Sequence, residues 1–107
     1  MISSCRTAEY SSKKFRSGSL SKIVVSGVVY DTSIDSVLPN AAIVIGDSVY
    51  WTGPNGRFIC SLEEGNYKFS ARHIGLEVIT TEPFSLKKGD SLELNFRMRT
   101  DRTPLVD

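Results

Sequence analysis

The chain has 107 residues, which is enough for one domain and too short for two. Its hydrophobic fraction of 40% and charged fraction of 23% are those of an ordinary globular domain. A net charge of +1 argues against nucleic acid or another polyanion as the partner of the whole chain. No apolar run reaches the roughly 18 residues that a membrane-spanning helix needs.

The charges are distributed unevenly along the chain. Residues 1–22 carry a net charge of +4, whereas residues 23–107 carry a net charge of −3. The first segment is rich in Ser, Lys and Arg, so it cannot bury much surface. We therefore predict a flexible basic arm over residues 1–21, a folded body over 22–99 and a tail over 100–107. The basic charge is either simply solvated or makes loose contact with anionic lipid or polysaccharide.

An alternation of apolar and polar residues runs through the body with a period of two, and it predicts β-strands. In chain order the predicted strands cover residues 25–31, 41–45, 48–52, 57–62, 67–72, 77–81 and 92–98. Residues 41–45 are apolar at every position, which predicts a strand covered on both faces. Pro83 marks an edge or a break after the sixth strand.

Turn-forming residues separate these strands. The Gly-Pro-Asn-Gly sequence at 53–56 predicts a tight turn, because Pro presets φ at the first corner while Asn and Gly tolerate positive φ. Turns recur about every 8–12 residues and no segment has helical periodicity, so the pattern predicts an all-β sandwich of seven strands in two sheets. The inward side chains, among them Phe58, Phe69 and Phe96, would meet in one core.

Short motifs follow one another along this predicted body. They are Val25-x-Gly27-x-Val29-x-Asp31, Leu38-Pro39-Asn40-Ala41, Ile43-x-Ile45-Gly46, Thr52-x-x-x-Gly56-x-Phe58, Leu62-x-x-Gly65-x-Tyr67 and Gly75. In this order and spacing the series resembles the carboxypeptidase regulatory-like domain, a prealbumin-like (transthyretin-like) Greek-key sandwich, over residues 23–98. Two positions depart from the family, since Gly53 replaces an Asp and Asn40 replaces a Gly.

The resemblance implies a non-catalytic accessory module. Domains of this kind accompany metallocarboxypeptidases, outer-membrane receptors and other envelope or secreted bacterial proteins. We therefore expect a structural or protein-interaction module of the bacterial periplasm, the outer membrane or the secreted fraction, with no catalytic residue, metal or cofactor. The nearest enzyme, hydroxyisourate hydrolase, resembles transthyretin but uses several His and Arg residues and ends in Tyr-Arg-Gly-Ser. This chain has one His, His73, and ends in Thr-Pro-Leu-Val-Asp.

Two consecutive aromatic residues are the candidate contact residues. Tyr50 and Trp51 lie in a predicted strand, so their side chains point to opposite faces and one of them is exposed. The simpler interpretation packs Trp51 in or over the core. The alternative exposes an aromatic side chain that contacts a protein partner or stacks on a sugar ring. A small carbohydrate-binding domain that uses Trp51 or Tyr50 is accordingly the second functional hypothesis.

The two cysteines do not form a disulfide framework, and no Cys/His spacing suggests zinc. Cys60 is predicted to act as a small core hydrophobe. Ile2-Ser3-Ser4-Cys5 has the residue order of a bacterial lipobox, although the basic and apolar stretch before it is missing. Either the true start lies upstream of Met1 and a lipid on Cys5 tethers the domain to a membrane, or the match is chance and Cys5 is a free thiol.

Overall fold

The computed structural model of the chain describes residues 9–16 and 22–100. These residues form eleven β-strands, and they contain no helix long and apolar enough to cross a membrane. The strands are β1 (Glu9–Arg16), β2 (Ile23–Asp31), β3 (Ser36–Val37), β4 (Ala42–Ile45), β5 (Ser48–Trp51), β6 (Arg57–Leu62), β7 (Gly65–Tyr67), β8 (Phe69–Arg72), β9 (Ile79–Thr80), β10 (Phe84–Leu86) and β11 (Asp90–Met98).

Two principal sheets form the sandwich. Sheet A has the order β1-β11-β2-β6, and the short β3 pairs with the end of β2. Sheet B has the order β5-β4-β8-β9, and β7 pairs separately with β10. The neighbours β11 and β2 are parallel, which the long connection between them permits, and the other pairs are antiparallel. The predicted all-β sandwich is therefore confirmed.

The strand count exceeds the predicted seven for identifiable reasons. The sequence pattern missed β1, β3 and β10, which are short or polar on both faces. It also predicted one strand over residues 67–72, where the structure has β7 and β8 with Lys68 between them. The remaining strands lie where the alternation placed them.

The core consists of the inward side chains of both sheets. Phe96 lies at its centre, with its ring centroid 6.3 Å from that of Phe58 and 6.4 Å from that of Tyr10. The buried hydrophobic residues are Ile23, Val25, Val29, Leu38, Ala41, Ile43, Ile45, Phe58, Cys60, Phe69, Ala71, Ile79, Leu86, Leu92, Leu94, Phe96 and Met98. Each large member contributes about 1.5–3 kcal/mol by leaving water, so this layer provides most of the driving force for folding.

The centre of sheet A is packed at the level of the backbone. The ladder between β2 and β11 is interrupted after Ser26↔Glu93 and resumes at Val29↔Phe96. In the gap, the side-chain oxygen of Asn95 accepts a hydrogen bond from the Val28 N–H at 2.9 Å. A Cβ atom on Gly27 would lie 1.6 Å from the carbonyl oxygen of Leu94. Position 27 therefore has room only for glycine.

The Gly-Pro-Asn-Gly sequence forms the predicted turn between β5 and β6. The N–H of Gly56 donates to the carbonyl of Gly53, and the N–H of Gly53 donates to the carbonyl of Arg57, both at 2.9 Å. Gly56 has a φ of 75°. A Cβ atom on it would lie 2.7 Å from Cβ of Val37, so both the backbone conformation and the available space require glycine.

Residues 9–16 differ from the flexible arm expected for this part of the sequence. They form β1, which pairs antiparallel with β11 from Glu9↔Arg97 to Arg16↔Asp90. Only Tyr10 packs against the core, and its hydroxyl accepts a hydrogen bond from the Glu82 N–H at 3.0 Å. The sequence pattern missed β1 because polar residues stand on both of its faces and no apolar alternation runs along it. The rest of the expected arm and tail, at 1–8, 17–21 and 101–107, lies outside the described residues.

Candidate functional site: a groove on the outer face of sheet B

A row of three cross-strand partners defines the candidate site. Trp51 on β5 is opposite Ala42 on β4, and Ala42 is opposite Arg72 on β8. Residues that are directly opposite in a ladder point to the same face, which here is the outer face of sheet B. Because the central residue is an alanine, the larger Trp51 and Arg72 side chains stand on either side of a low floor.

The resulting depression is called the Trp51 groove below. It has a volume of about 570 Å³ and is lined by Asn40, Ala42, Trp51, Arg72, His73 and Ile74. Trp51 is 65% exposed and Ile74 is 94% exposed, so two large hydrophobic side chains border the groove without being buried by the fold. Exposed hydrophobic side chains that cluster in this way are typical of contact surfaces.

The two candidate aromatic residues do point to opposite faces. Tyr50 is half-buried and packs against the core, while Trp51 faces outward. The interpretation that packed Trp51 in or over the core is therefore wrong. The physical reason is the register of β5, which pairs Tyr50 with the buried Ile43 and Trp51 with the outward Ala42.

An apolar surface continues beside the groove. The next row of sheet B runs through Val49, Val44, Ser70 and Thr80, which are paired in that order. Val49 is 47% exposed, and Val44 is half-buried. The expectation that residues 41–45 are covered on both faces is also wrong, because within the described part of the chain nothing covers the outer face of β4.

The turn after β8 sets the position of Ile74. The N–H of Leu76 donates to the carbonyl of His73 at 3.1 Å, and Gly75 adopts a φ of 82°. Atom Nδ1 of His73 lies 3.1 Å from the carbonyl oxygen of Ile74. This turn holds the Ile74 side chain in solvent at one end of the groove, and it brings the only histidine of the chain beside Arg72.

Buried Thr52 holds the opposite end of the groove in place. Its hydroxyl accepts a hydrogen bond from the Ala41 N–H at 2.9 Å and donates one to the Leu38 carbonyl at 2.7 Å. The N–H of Asn40 donates to the carbonyl of Thr52 at 3.0 Å. The position of Trp51 is therefore fixed by the residue that follows it, because Thr52 joins β5 to the loop before β4.

The groove has a polar rim around an apolar interior. Arg72 is exposed and has no salt-bridge partner within residues 9–16 and 22–100. Asn40 and His73 add an amide and an imidazole to the same rim. The arrangement can therefore accept an apolar group between Trp51 and Ile74 while a carboxylate or carbonyl oxygen meets the guanidinium of Arg72.

The other chemically notable groups lie away from the groove. Burial raises the pKa of Cys60 to about 11, so its thiol stays neutral, as a core hydrophobe requires. The hydroxyl of Tyr30 donates to the carboxylate of Asp35, and this bond raises the pKa of Tyr30. Among the described residues no group of three or more His, Cys, Asp or Glu side chains could hold a metal ion. The predicted lipidation residue, Cys5, lies outside the described residues.

Comparison with known families decides the relationship. The family model of the carboxypeptidase regulatory-like domain matches residues 24–99. The chain belongs to this family. The resemblance carried by the motifs from Val25 to Gly75 is thereby confirmed, and so is the prealbumin-like sandwich. No curated protein matches this carboxypeptidase regulatory-like domain.

Several solved structures share the fold. Chlorocatechol 1,2-dioxygenase from Pseudomonas putida is similar with a TM-score of 0.58 at 11% identity, over 75% of this chain and 61% of that enzyme. Catechol 1,2-dioxygenase from Pseudomonas arvilla C-1 has a TM-score of 0.55 at 12% identity, over 80% of this chain and 54% of that enzyme. The mercury-inhibited catechol 1,2-dioxygenase from Acinetobacter sp. ADP1 has a TM-score of 0.53 at 11% identity, over 83% of this chain and 57% of that enzyme. The regulatory-like domain thus spans only 54–61% of the length of these enzymes. At 11–12% sequence identity the likeness shows a shared fold alone.

Proposed function

We propose that this carboxypeptidase regulatory-like domain is a non-catalytic protein-interaction module of the bacterial cell envelope, and that the Trp51 groove is its contact surface. The observation that carries the proposal is the 65% exposed indole of Trp51, held in strand register beside Ala42 and Arg72. A tryptophan with this exposure contributes little to the core of its own domain. Its position is well suited to burial by a partner.

The composition of the groove supports a protein partner. Trp and Arg are the residue types that most often dominate protein interfaces, because they combine large contact areas with polar groups that orient the partner. Here Trp51 and Arg72 stand on either side of Ala42, and the apolar row through Val49 and Val44 enlarges the surface beyond the groove. An apolar partner side chain would pack against Trp51, and an acidic residue next to it would pair with Arg72.

Carbohydrate binding is the second candidate function. The observation that favours it is the placement of Asn40, Arg72 and His73 around the exposed face of Trp51. A sugar ring stacked on the indole would find hydrogen-bonding side chains at its edge. The two valines beside the groove, Val49 and Val44, have no use in this function, and for that reason we place carbohydrate binding second.

The groove provides its own spectroscopic probe. Trp51 is the only tryptophan in the chain, so the tryptophan emission of the domain, after the partner's own emission is subtracted, reports on this site. The wild-type domain on an affinity column should retain its partners from a preparation of envelope proteins. We expect each purified partner to shift the Trp51 emission to shorter wavelength. The Trp51→Ala variant should lose these proteins. Ile34→Ala is the matched control, since Ile34 is a 63% exposed hydrophobic residue in the loop after β2.

The outcomes separate the two candidate functions. Retention of the same proteins by wild type and Ile34→Ala but not by Trp51→Ala supports the protein-interaction module. A signal on a glycan array that Trp51→Ala alone removes would move the assignment to carbohydrate binding. If Trp51→Ala changes neither measurement, the Trp51 groove is not the contact surface.

The envelope location rests on the usual settings of the family and on the Ile2-Ser3-Ser4-Cys5 order. In this proposal a lipid on Cys5 anchors the chain a few residues before β1, and the net positive charge of residues 6–22 lies near anionic head groups. Cells that express the gene with its natural upstream sequence should incorporate a fatty-acid probe into the wild-type protein but not into Cys5→Ser. Absence of label in the wild type would remove the anchor from the proposal.

A further inference from the structure

The chain leaves the sandwich beside the Trp51 groove. Strand β11 ends at Met98, and Thr100 then forms an antiparallel bridge with Leu76. The N–H of Thr100 donates to the hydroxyl of Ser33 at 2.9 Å, and this bond fixes the exit point. Leu76 is two residues from Ile74, at most about 7 Å along the chain, and Ile74 borders the groove. The residues that follow Thr100 therefore start within reach of the groove.

The segment after Thr100 is long enough to enter the groove. Residues 101–107 lie outside the described residues, and a segment of this length extends to at most about 25 Å. The groove crosses β5, β4 and β8, which amounts to two strand spacings, or about 10 Å. Residues 105–107 can therefore lie between Ile74 and Trp51.

Residues 105–107 carry an apolar and an acidic side chain at alternate positions. Their sequence is Leu-Val-Asp. Alternate side chains of an extended segment point to the same side, so Leu105 and Asp107 face one way and Val106 faces the other. The two residues that face together are about 7 Å apart. A surface with an apolar space beside a cation would bind both of them.

The Trp51 groove has these two features. The exposed side chains of Trp51 and Ile74 border its apolar space. Exposed Arg72 stands on its rim, and no salt bridge joins this residue to another in the part of the chain that the structure describes. A carboxylate at this guanidinium would form charge-assisted hydrogen bonds, which are stronger than neutral ones. Leu105 therefore matches the apolar space, and Asp107 matches the rim.

The two other segments outside the described residues match the groove poorly. Residues 1–8 and 17–21 contain no acidic residue, and both adjoin β1, which belongs to sheet A. The groove lies on sheet B. Residues 101–107 start beside the groove and contain Asp107, so they are the segment that can bring a carboxylate to Arg72.

We propose that residues 105–107 occupy the Trp51 groove of their own chain. Leu105 fills the apolar space, Asp107 pairs with Arg72, and Val106 faces solvent. The partner that we propose for this groove has the same two groups, an apolar side chain next to an acidic one, so it has to displace the segment before it binds. This competition rests on the proposed function, whereas the occupation of the groove does not.

Tryptophan emission from the full chain tests the occupation without any partner, because Trp51 is the only tryptophan. Leu105→Ser and Asp107→Asn should each shift the emission to longer wavelength and increase its quenching by acrylamide, because the indole becomes more open to water. Val106→Ser is the matched control, since it removes an apolar side chain from the opposite side of the segment, and it should behave like wild type. Equal effects of Leu105→Ser and Val106→Ser, or no effect of Leu105→Ser and Asp107→Asn, would overturn the proposal.

A charge exchange tests the pairing at the rim. Arg72→Asp and Asp107→Arg should each increase the quenching of Trp51, and the double variant should return most of the way to wild type, because opposite charges meet again. A linked segment acts at an effective concentration of the order of mM, so the wild-type emission should be constant between about 1 μM and about 100 μM protein. Absence of recovery in the double variant contradicts the pairing. An emission that changes with protein concentration would assign the segment to the groove of a second copy and contradict the proposal.

The competition is measured with the purified envelope proteins that the wild-type domain retains. Leu105→Ser should bind them about two- to threefold more tightly than wild type, which corresponds to a segment that fills the groove for about half to two thirds of the time. Val106→Ser should bind them like wild type, and equal affinities of the two variants would rule out the competition. Unchanged quenching in Leu105→Ser, with retention still lost in Trp51→Ala, would overturn the inference and leave the proposed function intact. Increased quenching in Leu105→Ser, with no protein retained, would support the inference and overturn the proposed function.

Discussion

The centre of sheet A is tightly packed, whereas the outer face of sheet B is open to solvent. Around Gly27 and Gly56 the backbone segments lie so close that a single added carbon would meet an atom at 1.6 Å or 2.7 Å. Around the Trp51 groove, large side chains such as Trp51 and Ile74 remain mostly in solvent. The first region has no room for change, and the second has side chains that the fold does not use. Substitutions should therefore affect stability in one region and binding in the other.

The strongest test of this contrast is Gly27→Ala. The new Cβ would lie 1.6 Å from the Leu94 carbonyl oxygen and 3.1 Å from the ring of Phe58, so β2 and β11 would have to separate. We expect a loss of more than about 4 kcal/mol in the free energy of unfolding, or no folded protein. Urea unfolding followed by circular dichroism measures it. Gly53→Ala is the control, because its nearest atom lies 3.9 Å away, and it should stay close to wild type.

A pair of turn glycines separates conformational strain from steric exclusion. Gly56 and Gly46 both have positive φ, at 75° and 58°, so alanine is strained at either position. Only Gly56 also has atoms in the way, whereas nothing lies within 4 Å of a Cβ on Gly46. We expect Gly56→Ala to lose about 2–4 kcal/mol and Gly46→Ala about 1 kcal/mol in the same unfolding measurement. Equal losses would mean that the close approach at Gly56 relaxes without cost.

Two threonines test whether the support of the groove is structural. The hydroxyl of buried Thr52 makes two hydrogen bonds, with Ala41 and Leu38, while the hydroxyl of exposed Thr80 bonds the hydroxyl of Ser70 at 3.0 Å. Valine keeps the shape of threonine but leaves the groups facing Thr52 without partners. We expect Thr52→Val to lose about 1–3 kcal/mol and Thr80→Val less than about 0.5 kcal/mol. A Thr52→Val variant as stable as the wild type would show that the hydroxyl of Thr52 does not support this end of the groove.

The sequence predicted those parts of the fold whose two faces differ in polarity. Phe58 and Cys60 alternate with Arg57 and Ser61, so the inward face of β6 could be read directly. Strand β1 could not be predicted in this way, since its residues 11–16 are all exposed and its pairing depends on the remote strand β11. The family motifs added the prealbumin-like type of the sandwich.

The site was only half predictable from the sequence. Adjacent Tyr50 and Trp51 had to face opposite ways, but apolar residues lie on both faces of β4 and no polar residue marks the outer one. Arg72 was missed as a neighbour of Trp51, because the two are brought together only by the register of both with Ala42. No local sequence pattern predicts which residues of β5 and β8 pair with Ala42.

The smallest effect on stability is expected at the most exposed aromatic residue. Trp51→Ala removes a side chain that packs mainly against solvent, so the free energy of unfolding should stay within about 0.5 kcal/mol of wild type, while binding through the groove is lost. Tyr50→Ala, one residue earlier, removes a ring that packs on the core and should cost about 1–3 kcal/mol. Circular dichroism must follow the unfolding, because Trp51 is the only tryptophan. If Trp51→Ala proved the more destabilising of the two, the indole would belong to the core, and both the contrast between the sheets and the proposed contact surface would fail together.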